Sequence, residues 1–215
     1  MKNEWTRRYW DMLRERRFSL LLKRVFDILA AAVILLLLSP ILIFLALAVR
    51  IDSPGPVFYR QTRVGRYGKN FKILKFRTMV KNADKIGPAL TMGQDPRITR
   101  VGGFIRRCRM DEFPQLFNVL GGSMSLVGPR PEVRKYVDAY TPEYLATLLI
   151  RPGVTAPSSI AFKDEGKILK TGGDPDRIYI EQILPPKMRL NLQYMEHISV
   201  LNDIRVMIRT VAAVL

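Results

Sequence analysis

Two adjacent carboxylates, Asp111 and Glu112, are the residues of this 215-residue chain best suited to chemistry. Arg97, Arg100, Arg106, Arg107 and Arg109 lead up to them with no acid in between. Downstream, Ser125-Leu-Val-Gly-Pro-Arg-Pro-Glu132 sets Arg130 between two prolines. Their fixed φ angles reduce the entropy lost when the guanidinium docks on an anion, and its fork matches phosphate oxygens in pairs. Arginines around the start of a helix make a phosphate site, and carboxylates inside such a site suit Mg²⁺ binding or nucleophilic attack. The same acids could instead pair with the neighbouring arginines on a solvated helix start, where acidic residues are favoured. The local sequence leaves both readings open. A single histidine, His197, and a single cysteine, Cys108, exclude paired-His metal motifs, multi-Cys zinc sites and an internal disulfide framework. Both read as packed or exposed bystanders, so any chemistry falls on carboxylates, lysines or hydroxyls.

The elements that must position these residues are set by charge and hydropathy. The chain carries a formal charge of +16 yet is 48% hydrophobic, a pairing that suits a membrane surface or nucleic acid. It is long enough to bury a core and too apolar to remain disordered. Eleven of the sixteen excess charges fall in the first 77 residues, in blocks at 1–24 and 50–77. Between the blocks, Ile28 to Val49 is a run of 22 uncharged residues. A straight helix of that length reaches across a hydrocarbon core of roughly 30 Å. Ser39-Pro40 interrupts it, however, and proline removes a helical hydrogen bond that a preceding serine can compensate. With both flanks basic, neither end is marked as the outer one. A re-entrant helix that enters the membrane, bends at Ser39-Pro40 and returns to the same face fits both features.

Trp5, Trp10, Tyr9, Leu13 and Phe18 among arginines make residues 1–24 an interfacial amphipathic segment drawn to anionic phospholipid. Residues 25–50 form the membrane helix and residues 51–215 a cytoplasmic domain. Within that domain, Val57–Val64 and Phe71–Thr78 read as a β-hairpin, and Gly87-Pro88 through Asp95-Pro96 as a loop. A helix is expected to start near Pro114 and stop at Gly121, with Asp111-Glu112 just before it. Pro142–Leu149 and Pro185–Val214 read as helical. The fold class is α+β, mostly helical with one small β-hairpin, in a monotopic membrane protein.

Several motifs then occur in order: Lys23-Arg-Val-Phe-Asp27, Ser39-Pro40, Asp52-Ser-Pro-Gly-Pro-Val-Phe-Tyr-Arg-Gln61, Arg63-Val-Gly65 and Lys75-Phe-Arg-Thr-Met79. They continue with Asp95-Pro-Arg-Ile-Thr-Arg-Val-Gly102, Asp111-Glu-Phe-Pro-Gln115, Asn118-Val-Leu-Gly-Gly-Ser-Met-Ser125, Leu126-Val-Gly-Pro-Arg-Pro-Glu132 and Arg151-Pro-Gly-Val-Thr155. In this series the chain resembles the bacterial sugar transferases, monotopic polyprenyl-phosphate phosphoglycosyl transferases, from about Lys23 to Thr155. The resemblance implies transfer of a sugar-1-phosphate from a nucleotide sugar, usually UDP-linked, to undecaprenyl phosphate, with release of UMP. This polyprenyl-phosphate hexose-1-phosphate transfer is the first membrane step of a bacterial glycoconjugate pathway. The resemblance further implies Asp111 as the nucleophile of a covalent phosphosugar intermediate, Mg²⁺ bound nearby, and a re-entrant helix broken at Ser39-Pro40. Metal binding is assigned to Asp111 and Glu112, with orientation of Asp111 as the alternative role of Glu112. Phosphate binding is assigned to Arg107, Arg130, Lys75 and Arg77. The location implied is the cytoplasmic face of the bacterial inner membrane, and a homo-oligomer is compatible with it. The chain departs from the family at Val154-Thr-Ala-Pro-Ser-Ser-Ile-Ala-Phe-Lys-Asp-Glu165, where many members continue Pro-Gly-Ile-Thr-Gly.

Two rivals use the same charge. A non-enzymatic basic membrane adaptor explains the anchor but not the acid pair or the Pro-Arg-Pro segment. Nucleic-acid binding has no helix-turn-helix, zinc or RNP-like pattern to support it, so no nucleic-acid partner is expected.

Overall fold

The chain opens with two helices separated at Arg16. Helix α1 (Glu4–Glu15) starts under Asn3, whose side chain accepts the Thr6 N–H at 2.8 Å. Tyr9 and Leu13 are buried against the short helical turn Tyr144–Leu149, while Trp5 and Trp10 stay exposed. Helix α2 (Arg17–Asp52) then runs for 36 residues. The computed structural model describes residues 3–83, 95–169 and 174–214. The break between the two helices falls at Arg16.

Helix α2 continues through Ser39-Pro40. Pro40 has no N–H to offer the Leu36 carbonyl, and Ser39 Oγ donates to that same carbonyl at 2.7 Å. Around this point Val33, Leu36, Leu37, Ile43, Phe44 and Leu47 are exposed. The two ends of α2, by contrast, are both bonded to the rest of the chain. Near the start, Asp27 accepts from Ser125 Oγ at 2.7 Å and from the Leu126 N–H at 3.1 Å. Lys23 donates to the Val127 carbonyl at 2.9 Å and pairs with buried Asp203. Near the end, Asp52 accepts the Val101 N–H at 3.0 Å.

These ties carry a prediction. Asp27 is 1% exposed and sits 3.7 Å from Lys23. Asp27→Ala leaves Lys23 and the Leu126 N–H short of a partner inside the protein. It should destabilise the fold by about 3 kcal/mol, read as a lowered midpoint of thermal unfolding in detergent.

The expected hairpin is present as β1 (Phe58–Val64) antiparallel to β2 (Asn70–Phe76), in register from Phe58 opposite Phe76 to Val64 opposite Asn70. Helix α3 (Arg100–Arg107) is capped by Thr99, whose hydroxyl accepts the Gly102 N–H at 3.0 Å. Helix α4 (Gln115–Leu120) follows Pro114 and ends at Gly121, as expected. Strand β3 (Ser125–Val127) pairs in parallel with β4 (Gly153–Thr155), a second small sheet absent from the sequence reading. Its pairing depends on close backbone approach: a Cβ on Gly153 would lie 2.1 Å from the Gly128 nitrogen.

Helix α5 (Pro157–Ala161) lies within the segment 154–165, and buried Ser158 donates to Asn191 at 2.7 Å. The expected helical stretch Pro185–Val214 divides into α6 (Leu184–Glu196) and α7 (Val200–Val214), with His197–Ser199 between them. The main core gathers Leu116, Val119, Met124, Leu126, Val127, Leu192 and Met195, with Ala31 of α2 among them. The mostly helical α+β class stands. Of the expected loop Gly87-Pro88 to Asp95-Pro96, only its last two residues lie within the described residues.

Candidate active site

The Asp111-Glu112 pair occupies a single helical turn, Met110–Glu112, between α3 and α4. Arg109, at φ 56°, lies in the left-handed region and turns the chain after α3. Side-chain pairing fixes the position of α4. The Asn118 amide accepts the Leu74 N–H at 2.9 Å and donates to the Lys72 carbonyl at 2.9 Å. It thereby occupies the outer edge of β2 as a neighbouring strand would. This holds Lys75 of β2 beside the turn that carries the acids.

Glu112 is clamped by two cations that lie far from it in sequence. Lys75 Nζ donates to Oε1 at 2.7 Å, and Arg130 donates to Oε1 at 2.5 Å and to Oε2 at 3.1 Å. Although burial opposes its charge, Arg130 and Lys75 together hold the Glu112 carboxyl well below the usual range. Arg130 is held correspondingly more firmly protonated by Glu112. Asp111 moves the opposite way: burial first, then the Glu112 charge, raises its pKa, and Lys75 and Arg106 only partly offset this. Two neighbouring carboxyls are thus driven apart, one fixed as an anion and one made more basic, a pattern that marks divided roles. The partners of Glu112 bear on the alternative that the acids pair with the neighbouring arginines. Its carboxylate pairs with Lys75 and Arg130, not with the arginines just before it.

Asp111 lines a cavity of about 450 Å³ between the hairpin and α3, together with Arg63, Gln61, Lys75, Arg97, Arg106 and Tyr59. Arg63 donates to Gln61 at 2.8 Å and to the Pro131 carbonyl at 3.3 Å. The Pro-Arg-Pro loop is bonded on both sides, through Val64 N–H to the Glu132 carbonyl at 2.9 Å and Gly153 N–H to the Pro129 carbonyl at 3.0 Å. Arg130 is therefore presented from a fixed backbone.

Of the residues assigned from sequence, Asp111, Glu112, Lys75 and Arg130 come together. Arg107 does not join them: it is exposed, and Arg106 lines the cavity instead, donating to Thr78 Oγ1 at 2.9 Å. Arg77 borders the cavity, but its guanidinium donates to the Val49 and Pro54 carbonyls and to Ser53 Oγ, at 3.3, 3.2 and 2.8 Å. It thus satisfies carbonyls at the C-terminus of α2, where a cation is favoured. A Cβ at Gly55, whose φ is 131°, would meet this guanidinium at 2.2 Å. The Arg77 guanidinium is therefore engaged at the end of α2. Arg97 is engaged by Asp95, whose pKa its hydrogen bonds lower to about 2.

Among the described residues no group of three or more His, Cys, Asp or Glu side chains converges on one point. Both Glu112 oxygens already accept from Lys75 or Arg130, which leaves Asp111 as the carboxylate donor in the cavity. One carboxylate is no all-protein metal cage, and Mg²⁺ bound there would need water and substrate phosphates for its other ligands.

The chain thus combines one apolar helix long enough to cross a membrane with a carboxylate set among cations. The family follows from comparison: a model of the bacterial sugar transferases matches residues 18–215, and the chain belongs to that family. It is 39% identical over 200 residues to the UDP-glucose:undecaprenyl-phosphate glucose-1-phosphate transferase of Caulobacter vibrioides, covering 91% of this chain and 70% of that protein. It is 36% identical over 197 residues to the UDP-N-acetylgalactosamine-undecaprenyl-phosphate N-acetylgalactosaminephosphotransferase of Aeromonas hydrophila, covering 90% of this chain and 44% of the relative. It is 39% identical over 205 residues to the exopolysaccharide production protein PSS of Rhizobium leguminosarum bv. phaseoli, covering 90% and 95%. The chain thus spans less than half of the Aeromonas relative and nearly all of the Rhizobium one.

Proposed function

We propose that the protein is a phosphoglycosyl transferase that moves a sugar-1-phosphate from a UDP-sugar to undecaprenyl phosphate. The observation that carries this reading is the Asp111 carboxylate, made more basic by burial and set in a cavity whose other charged groups are mainly Lys75, Arg63, Arg97 and Arg106. An Asp111 oxygen attacks the sugar-bearing phosphorus of the donor, and the phosphorus–oxygen bond to UMP breaks. The resulting aspartyl phosphosugar is attacked at the same phosphorus by an oxygen of undecaprenyl phosphate. The bond to Asp111 then breaks, freeing the carboxylate and giving the undecaprenyl-diphosphate sugar. One nucleophile thereby serves a soluble donor and a lipid acceptor in turn. Lys75 and Arg106 stabilise the charge that develops on the phosphoryl oxygens. Glu112 holds Lys75 and Arg130 in place. Mg²⁺, held at Asp111 with the donor's phosphates, would supply further electrostatic stabilisation of the leaving group.

The membrane topology is part of the proposal. Both ends of α2 are bonded to one domain, through Asp27 to Ser125 and through Asp52 to Val101. A helix crossing the bilayer would separate those ends, so the bonding supports the re-entrant reading, with basic flanks drawn to anionic phospholipid on the cytoplasmic face. Cysteines placed at Arg17 and Pro54 in a Cys108→Ser background should both label from the cytoplasmic side. Labelling from opposite sides would overturn the re-entrant reading.

The activity is tested by release of UMP from a panel of UDP-sugars with undecaprenyl phosphate and Mg²⁺. Multiple-turnover release that requires the lipid phosphate supports the proposal. Membrane binding without release from any donor supports the basic adaptor instead.

A further inference from the structure

Away from Asp111, a second cavity of about 630 Å³ lies where the α1–α2 junction meets α6 and α7. Arg16, His197, Arg205 and Arg209 line it, together with the polar side chains of Ser199 and Asn202. No Asp or Glu is among the described residues lining it. Arg16 is anchored by donating to the Glu196 carbonyl, whereas Arg205, Arg209 and His197 are exposed. A concave surface of this charge selects an anion.

The setting says which anion. Helix α7 turns Asp203 and Val206 inward, yet Leu201, Ile204, Ile208 and Val211 are 59%, 36%, 63% and 59% exposed. Their spacing of three and four residues makes one outward apolar stripe along the helix. Arg205 and Arg209 each follow a member of that stripe by one residue and flank it on the cavity side. Across the cavity, Arg16 immediately precedes α2, whose first turns expose Phe18, Leu21 and Leu22. The arginines lining the cavity thus lie within two residues of exposed apolar side chains on α2 and on α7. A free phosphate has no use for those side chains. A phospholipid, an anionic phosphate joined to apolar chains, matches both parts.

We infer that this cavity is a binding site for the headgroup of an anionic phospholipid, separate from the transfer site and resting on the reading of α2 as a membrane helix. The phosphate sits among Arg16, Arg205 and Arg209, and the acyl chains run along the α7 stripe. Basic flanks attract a negative membrane diffusely. This cavity instead retains individual lipids at one place and fixes the height of α7 against the bilayer.

The test uses the full chain in nanodiscs of phosphatidylcholine, alone or mixed with phosphatidylglycerol, with retained lipid counted by native mass spectrometry. The protein should enter both kinds of disc and retain phosphatidylglycerol preferentially. Arg205→Gln/Arg209→Gln should enter equally and lose that preference by roughly tenfold or more, as two arginines beside an anionic lipid imply. Arg14→Gln/Arg17→Gln, which removes equal charge outside the cavity, should keep it. An absent preference in the unmodified protein would overturn the site, as would equal loss in the two variants. Displacement of phosphatidylglycerol by inorganic phosphate would assign the cavity to a soluble anion instead. Failure of the unmodified protein to enter neutral discs would overturn the membrane reading of α2, and the site with it.

Discussion

Asp111→Asn should lower turnover at least about 10⁴-fold, because an amide cannot attack phosphorus and the surrounding binding groups alone supply little of the rate. The same substitution should raise thermal stability at neutral pH. Asp111 has a raised pKa in the folded protein, so the folded state binds its proton more tightly than the unfolded chain does. The stability this contributes is full below the unfolded pKa and is lost as pH rises through the folded one. At pH 7 the ionised carboxylate therefore costs stability, and the neutral amide removes that cost. The variant should melt higher than the unmodified protein at pH 7, with the gap closing as pH falls below the folded pKa of Asp111. An inactive variant that was also less stable at pH 7 would mark Asp111 as a structural ion-pair residue. In the unmodified protein, kcat/KM should fall on the acid side at a pH above the ordinary aspartate range.

Glu112→Gln should lower turnover about 10²-fold, the scale for removing one preorganised electrostatic group from a site. Its effect on stability has the opposite sign. The Glu112 pKa is depressed, so its contribution is present above the unfolded pKa and is lost as pH falls through the folded one. The amide should therefore destabilise the protein at pH 7, by about 2 kcal/mol for hydrogen bonds to two charged partners. Removing the Glu112 charge also removes one cause of the raised Asp111 pKa. The acid limb of the kcat/KM profile should move to lower pH in Glu112→Gln. A purely structural role would reduce activity without moving that limb.

Local signals carried much of this arrangement. The β-branched and aromatic runs on either side of Gly65–Asn70 gave the hairpin to within two residues. Pro114 and Gly121 gave α4, and with it the place of Asp111-Glu112 just before a helix. The parallel pair β3–β4 was not legible, because three-residue strands are too short for an alternation to show and their partners are far apart in sequence. Helical phase decided between the neighbouring arginines. With Gly102 and Ile105 buried, α3 turns Arg106 toward the hairpin and Arg107 to solvent. Strand alternation would place Lys75 and Arg77 on one face, but β2 ends at Phe76 and Arg77 turns to the end of α2.

The long-range polar ties were also hidden. Asn118 on β2, and Lys23 with Asp203, form only once the chain has folded, and nothing in their local sequence marks them.

The central claim is that Asp111 becomes covalently attached to the sugar phosphate. Intact mass spectrometry of the protein after incubation with a UDP-sugar panel and Mg²⁺, without lipid acceptor, tests it directly. The unmodified protein should gain the mass of one sugar phosphate less water, located at Asp111, and lose it when undecaprenyl phosphate is added; Asp111→Asn should gain nothing. UMP released only when donor and acceptor are present together, with no adduct from any donor that turns over, would contradict it.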